Sequence, residues 1–477
     1  MRILFVGFQN SVHVAHWIGN LKDQGHDIHL FCPHQADVHP YLTDITVHMP
    51  NFMHFFVKGR WTGYKIRMVS IFGIRLARRI GLAGLAARAE SLRARMVDWK
   101  AVLYQEHLTL SKPRIVNPNV TIAFTTLPMP YAFAWQIFKL WIWAGPVFGY
   151  RNPVHDPIRL PFFGPKYLRR VIKRVHPDLI HSLEFQSNGY LTLAAKRKFP
   201  PGRFPFWIAT NYGSDLYFYR NIPRDNRKLR NLLAQVDYYL CECARDEKIA
   251  REMGLRAPAG AVLPNGGGLD LDEVRVMERQ IPTSRRRVIA VKGYENWSGR
   301  AIMALKALQL CATLLKDYDI IVYKPDVACT KYVASIRRSE LRITIQPYTS
   351  HQNMLALFGL SRIYLGISLS DGISTSMLEA MAMGAFPIQT CTSCADEWFE
   401  DGRGGFIVRP QVEEIAGRLR QALEDDILVD LAAASNWKIC EERLDSRKIG
   451  QMVRDQYDSI LAVSRKSAAG DSRPAGS

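Results

Sequence analysis

Ser368-Leu369-Ser370-Asp371-Gly372-Ile373-Ser374-Thr375-Ser376-Met377-Leu378-Glu379-Ala380-Met381-Ala382-Met383-Gly384-Ala385-Phe386-Pro387-Ile388 is the stretch on which the reading of this chain turns. An apolar run, Ile363 to Ile367, leads into it and reads as a strand. A polar, glycine-containing turn follows, then a helical segment from Ser374 to Met383, then a second strand at Phe386 to Gln389. Strand, helix and strand in so few residues is the unit of a parallel sheet. Open parallel sheets bind ligands beyond the carboxyl ends of their strands, and the N–H groups of a helix start attract anions. Asp371 in the turn and Glu379 in the helix are eight residues apart, so both can face such a crevice. Taken alone, the residues fit a structural assignment equally well, with Ser376 and Glu379 as a capping box and Asp371 as a turn residue.

The same grammar extends outward from this stretch. Upstream, strands are expected at Val288 to Val291, Asp319 to Tyr323 and Leu341 to Ile345, with helices at Gly299 to Leu315 and Gln352 to Phe358. A first series starts at the N-terminus, with a strand over residues 2–7, a helix from Val12 to Lys22 and a strand from Asp27 to Cys32. It resumes with strands at Asp178 to His181, Phe206 to Thr210, Asp237 to Leu240 and Ala261 to Leu263. The run Pro264-Asn265-Gly266-Gly267-Gly268 is the strongest loop signal in the chain, and the charged stretch 271–287 after it marks the expected boundary. The expected organisation is an α/β domain over 1–270, a second over 285–440, a helix over 441–465 and a disordered tail over 466–477. Met1-Arg2 passes directly into the short run Ile3 to Val6, which is unlike a secretory leader.

With 477 residues, two domains are expected. Lys plus Arg number 63 and Asp plus Glu 44, a surplus of 63 − 44 = +19 that calls for an anionic partner. Residues 54–100 hold 11 Lys/Arg and 2 acids, a net +9, among Phe55, Phe56, Trp61, Ile71 and Phe72. This segment belongs to a basic, aromatic insertion spanning about 54–150, and its composition suits an anionic membrane surface. A solvated helix face carrying Arg75, Arg78 and Arg79 is the alternative. Nucleic acid is not the expected partner, because no helix-turn-helix, zinc or RNA-binding signature accompanies the charge. A dinucleotide-dependent oxidoreductase is disfavoured too: Gly7-Phe8-Gln9-Asn10-Ser11 retains only the first glycine of the phosphate-binding pattern. The 8 cysteines show no zinc-ligand spacing and fit a reducing, cytoplasmic setting.

The opening stretch resembles the acidic-x7-acidic motif of retaining GT-B glycosyltransferases, closest to glycosyltransferase family 4, whose pattern runs Glu-Gly-Phe-Gly-(x)4-Glu-Ala-Met-Ala-x-Gly-x-Pro-Val. Asp371-Gly372 and Glu379-Ala380-Met381-Ala382-Met383-Gly384-Ala385-Phe386-Pro387-Ile388 match it, with Asp for the first Glu and Ile373-Ser374 for Phe-Gly. Ser11-Val12-His13, Gly25-His26-Asp27-Ile28 and Pro264-Asn265-Gly266 are similar to further family signatures. The resemblance implies two Rossmann-like domains facing each other across a cleft, with the last helix crossing back to the first domain. It implies that Asp371, with the backbone of Gly372, Ile373 and Ser374, holds the donor sugar, and that Glu379 holds the nucleotide ribose. Of the family's basic pair for the donor diphosphate, Arg300 is one cation, and Lys292 or Lys324 the other. Such charge is needed because the departing diphosphate accumulates negative charge.

On the acceptor side, Asn211-Tyr212-Gly213-Ser214-Asp215 resembles a Trp-Gly-Ser-Asp variant of the family. Asp215 is the candidate for contact with acceptor or sugar, with capping of the next helix as the alternative. His13 is a second candidate, in the first strand-to-helix loop, while His181 and Glu184 follow a neighbouring strand. The implied activity is transfer of a sugar, with retained configuration, from a nucleotide sugar to a hydroxyl of a glycan or lipid-linked acceptor. Bacterial cell-surface polysaccharide or lipopolysaccharide synthesis at the inner face of the plasma membrane is the expected setting. Neither a metal nor a cofactor is expected.

Overall fold

The structure is a computed structural model that describes residues 1–33, 37–50, 119–125, 164–277, 281–336, 340–347 and 349–470. The membrane-docking segment expected at 54–100 lies outside the described residues. Thirteen strands are described: β1 (Arg2–Val6), β2 (Asp27–Phe31), β3 (Thr46–Pro50), β4 (Thr121–Thr125), β5 (Leu179–Leu183), β6 (Phe206–Thr210), β7 (Tyr238–Leu240), β8 (Val288–Lys292), β9 (Asp319–Tyr323), β10 (Arg342–Gln346), β11 (Ser361–Gly366), β12 (Phe386–Thr390) and β13 (Phe406–Val408). They form a seven-stranded sheet in the order β4-β3-β2-β1-β5-β6-β7 and a six-stranded sheet in the order β10-β9-β8-β11-β12-β13. Each of these pairings with a defined register is parallel.

Parallel strands covered on both faces need continuous apolar runs. Ile3 to Val6 in β1 are fully buried, and all six residues of β11 are buried. Two compact units are present: residues 1–183 with 187–207, and residues 184–186 with 208–477. The boundary expected at 271–287 lies inside the second unit. In the first unit, β1 pairs with β2 and β5, and Trp207 of β6 donates from its indole to Ser182 Oγ at 2.9 Å. β4 lies within the stretch read as an insertion, yet it pairs with β3 from Thr46↔Thr121 to Pro50↔Thr125. The insertion is therefore not continuous from 54 to 150.

In the second unit the core runs from β8, β9, β11, β12 and β13 to the helices Ala301–Gln309, Val412–Glu424 and Asp426–Arg443. Arg362 is 1% exposed within β11, and its guanidinium donates to the carbonyls of Ala422 and Leu423, satisfying the end of helix Val412–Glu424. Two expectations are corrected. Ala261 to Leu263 is not a strand; prolines at 258 and 264 bracket it, and Ala261 gives its N–H to Gln456 Oε1. The final helix is Ser446–Gly470, separated from Asp426–Arg443 by a break at Leu444-Asp445, so it does not start at 441; residues 471–477 of the expected tail lie outside the described residues. At that break Leu269 bridges the two helices, its N–H donating to Leu444 O and its carbonyl accepting from Ser446 N–H. Among the described residues no helix is long and apolar enough to cross a membrane.

Candidate active site

The loop after β11 places the sequence motif at the carboxyl end of a buried strand. Helix Thr375–Ala382 starts there, but its N-cap residue, Ser374, makes no side-chain cap bond. Ser374 Oγ instead lies 3.2 Å from Lys292 Nζ and 3.3 Å from Tyr364 Oη. Ser376 lies inside the helix rather than at its cap, so the capping-box arrangement is not formed. Glu379, 9% exposed, bonds His351 Nε2 through Oε1 at 2.8 Å. His351 is the first residue of helix His351–Leu360, and Glu379 raises its pKa against the effect of burial.

Lys292 ends β8, and its Nζ reaches Asp371 Oδ2 at 3.2 Å. Burial works to lower the Lys292 pKa, but the Asp371 carboxylate outweighs it with Tyr364 and Tyr294, and the ammonium is held charged. The structure thus brings Lys292, Asp371 and Ser374 together, with Glu379 and Ile373 lining one pocket beside Glu242 and Asn265. Arg300 is the N-cap residue of Ala301–Gln309; its Nη1 donates to the carbonyls of Asn296 at 2.9 Å and Gly299 at 2.5 Å. Its own N–H donates to Ile367 O, at the end of β11. The guanidinium is therefore anchored to its own turn. Lys324 has φ +46° and lines a separate pocket with Tyr294 and Pro325.

Asp215 is buried in the short helix Ser214–Tyr217, whose N-cap is Gly213. Its Oδ2 accepts the N–H groups of Tyr212 and Phe185, both at 2.8 Å. Burial, with Glu184 nearby, pushes its pKa well up despite those two bonds. The carboxyl thus ties the Asn211–Asp215 loop to residue 185. His13 lies, partly buried, in the first turn of helix Val12–Gly19 of the first unit. His181 is fully buried against Phe5 and Trp17, and burial lowers its pKa to about 3, which keeps it neutral. Glu184 takes φ +79°, and its N–H donates to Thr210 O.

Three residues near this loop had no assigned role in the sequence reading: Glu242, Arg245 and His351. Glu242 stands just past β7, the strand-end position that could have flagged it. Arg245 donates from Nη2 to Asp371 O at 2.9 Å and from Nη1 to Thr392 O at 3.2 Å. The buried groups Cys243, Asp246 and Cys394 bring their ligand atoms within 4.8 Å of one another. Asp246 already accepts from Asn211 Nδ2 and Arg245 Nε, so the guanidinium supplies positive charge to that cluster. All eight cysteines are free.

Residues 279–437 match the family model of glycosyl transferases group 1, and residues 2–78 that of glycosyl transferase 4-like. No curated protein matches the chain. Among solved structures the fold is similar to sucrose-phosphate synthase from Thermosynechococcus elongatus, at 11% identity over 97% of this chain and 99% of that one, with a TM-score of 0.60. It is also similar to Anabaena HepE in complex with UDP and glucose, at 14% identity over 96% of this chain and 100% of that one, TM-score 0.56. A glycosyltransferase from Rickettsia africae matches at 12% identity over 97% and 98% of the two chains, TM-score 0.55. The two parallel sheets with flanking helices are the GT-B α/β architecture. The chain is a glycosyltransferase of this class, resembling family 4.

Proposed function

We propose that this glycosyltransferase moves a sugar from a nucleotide-sugar donor to a hydroxyl of a glycan or lipid-linked acceptor, with retention of anomeric configuration. The observation that carries the reading is the convergence of Lys292, Asp371 and Ser374 at one strand end, with Glu379 one helical turn further on. Glu379, its Oε1 on His351, holds the ribose hydroxyls. Asp371 and the backbone of Gly372, Ile373 and Ser374 receive the donor sugar. Charge develops on the diphosphate as the glycosidic bond breaks, and fixed cations nearby lower that barrier. Lys292 is such a cation, and Arg300 is the second once its guanidinium turns from its own carbonyls. The helix start at Thr375, with its side-chain cap vacant, adds partial positive charge. These groups supply the charge without a metal or cofactor. Support for the donor class comes from Anabaena HepE, a neighbour in fold that binds UDP and glucose.

Asp215 serves by shaping the Asn211–Asp215 loop, and His13 remains the candidate for contact with the acceptor. The charge of residues 54–100 supports an acceptor at the cytoplasmic, anionic face of a membrane, with bacterial surface polysaccharide or lipopolysaccharide as the product class. A thermal-shift panel of UDP, GDP, ADP and CMP tests the donor class, because a ligand that binds only the folded chain must stabilise it. A nucleotide that raises the melting temperature identifies the base, and the anomeric proton signal of the product then reports retention. No shift with any nucleotide refutes the donor assignment, and an inverted anomer refutes the retaining mechanism.

A further inference from the structure

Glu242 occupies a position that three loops share. Its Oε1 accepts the Gly213 N–H at 2.9 Å, and its Oε2 accepts from Asn265 Nδ2 at 3.1 Å. The carboxyl also takes the backbone N–H of Ile373. These partners come from the loop after β6, the Pro264–Gly268 turn and the loop after β11, all within the second unit. The same carboxyl lines the pocket that holds Ile373, Thr375 and Glu379. Gly372 reflects the closeness of the fit: a Cβ there would land on Glu242 Oε1 and lie 2.7 Å from Gly213 Cα. Two further bonds run along this seam, Ser370 Oγ to Ser214 Oγ at 2.8 Å and Arg245 Nη2 to Asp371 O at 2.9 Å.

We infer that Glu242 is a positioning residue, which by holding Gly213, Asn265 and Ile373 together sets the backbone of Asp371–Ser374 and so the place of the groups that meet the donor. The inference rests on the reading of that loop as the donor loop. Two N–H groups and one amide fixed by a single carboxyl leave the loop one arrangement, whereas an alanine leaves three donors without their shared acceptor. Burial, with Asp371 and Asp246 facing it, pushes the Glu242 pKa up to about 8 against the backbone bonds from Gly213 and Ile373. The other charged or titratable groups around the seam are Lys292 on Asp371, Arg245, Tyr212, Cys243 and Glu379. Burial thus favours the neutral form of Glu242, and its ionisation at higher pH adds negative charge where an anionic donor must bind.

The test compares Glu242→Ala and Glu242→Gln in the full chain by donor kinetics and by amide hydrogen exchange. Glutamine keeps an oxygen for the Gly213 N–H and loses only the acceptor for Asn265 Nδ2, so its donor KM rises less than that of alanine. Alanine raises donor KM by about tenfold or more, with kcat changed less, and speeds exchange in residues 211–215 and 370–374. The donor KM of the parent rises above pH 8, and that of Glu242→Gln does not. An alanine variant with parental KM and parental exchange overturns the inference, and so does a glutamine variant as impaired as alanine. If the parent binds no nucleotide while exchange still quickens in Glu242→Ala, the loop-positioning role stands and the donor assignment fails.

Discussion

Two strand-to-helix junctions built on the same grammar have been put to different uses. After β1, Gly7 packs so that a Cβ would meet Val14 Cγ2 at 3.3 Å, and Ser11 caps helix Val12–Gly19 by accepting from Val14 N–H. The helix then buries Val14, Ala15, Trp17 and Ile18. After β11, Gly372 faces a carboxyl group instead of a methyl group, Ser374 Oγ accepts from Lys292 and pairs with Tyr364 Oη, and the helix start is left without a side-chain cap. One junction satisfies itself and contributes to the core. The other spends its polar groups on neighbours distant in sequence, leaving its helix terminus open to an anion. A shared local pattern thus says where a loop will be, and its polar neighbours say what the loop is for.

The contrast is tested most severely by inserting one methyl group at each glycine. Gly372→Ala forces the Asp371–Ser374 backbone off Glu242 and Gly213, and a displacement near 1 Å lowers transfer by on the order of a hundredfold. Gly7→Ala needs only a few tenths of an ångström from Val14, costing about 1 kcal/mol of stability by urea denaturation. Equal losses of transfer, after correction for stability, would erase the difference between the two junctions.

The Glu379→Ala variant separates ligand binding from capping. Loss of a charge-assisted bond to the ribose lowers donor affinity by about 2 kcal/mol, roughly thirtyfold. Since no capping box exists, melting of the unliganded protein should shift little, and calorimetry with and without nucleotide measures both quantities. A lower melting temperature with donor affinity intact would return Glu379 to a structural role.

Arg300 has a smaller expected effect because its guanidinium is partly exposed and anchored to its own turn. Arg300→Ala lowers turnover by about 1 kcal/mol of barrier, and Arg300→Lys by less, since an ammonium keeps the charge without the fork. Equal turnover in all three proteins would remove Arg300 from the donor site.

The smallest effect is a pH dependence. The folded-state pKa of His351 is raised, chiefly by its bond to Glu379. Its contribution to stability is therefore fully present below the unfolded value near 6.5 and is lost as pH rises through the higher folded value. Half-exposure of the ring limits this to about 0.5 kcal/mol. Urea midpoints across that window should fall with pH in the parent and stay flatter in His351→Gln; parallel curves would show that the pair contributes nothing.

Much of the architecture was legible because burial on both faces writes itself as apolar runs. β1, β2, β8, β9 and β12 lie within a residue or two of the runs at 2–7, 27–32, 288–291, 319–323 and 386–389. β13 was not read, because three residues, Phe406–Val408, are too few to show a period. The stretch 261–263 misled for the opposite reason: an apolar triplet looks like a strand, but its bonding is decided by bracketing prolines and Gln456, 195 residues away. The Leu444-Asp445 break was hidden likewise, since Leu269 supplies the bonds that interrupt the helix.

At the site, Asp371, Gly372 and Glu379 were visible by themselves, because their spacing follows from one turn and one helix. Lys292 was visible as a cation, but its pairing with Asp371 spans 79 residues. Glu242 was visible only as a residue just past a strand end, because Gly213, Asn265 and Ile373 reach it only after the chain folds. Local sequence determined the strands, the turn and the acidic pair, since each depends on backbone propensity and side-chain periodicity within a few residues. Tertiary structure decided which carboxyls line a pocket, as Glu379 does, and which, like Asp215, are consumed by backbone N–H groups, because a buried polar group takes whatever partner the packing brings within hydrogen-bond distance.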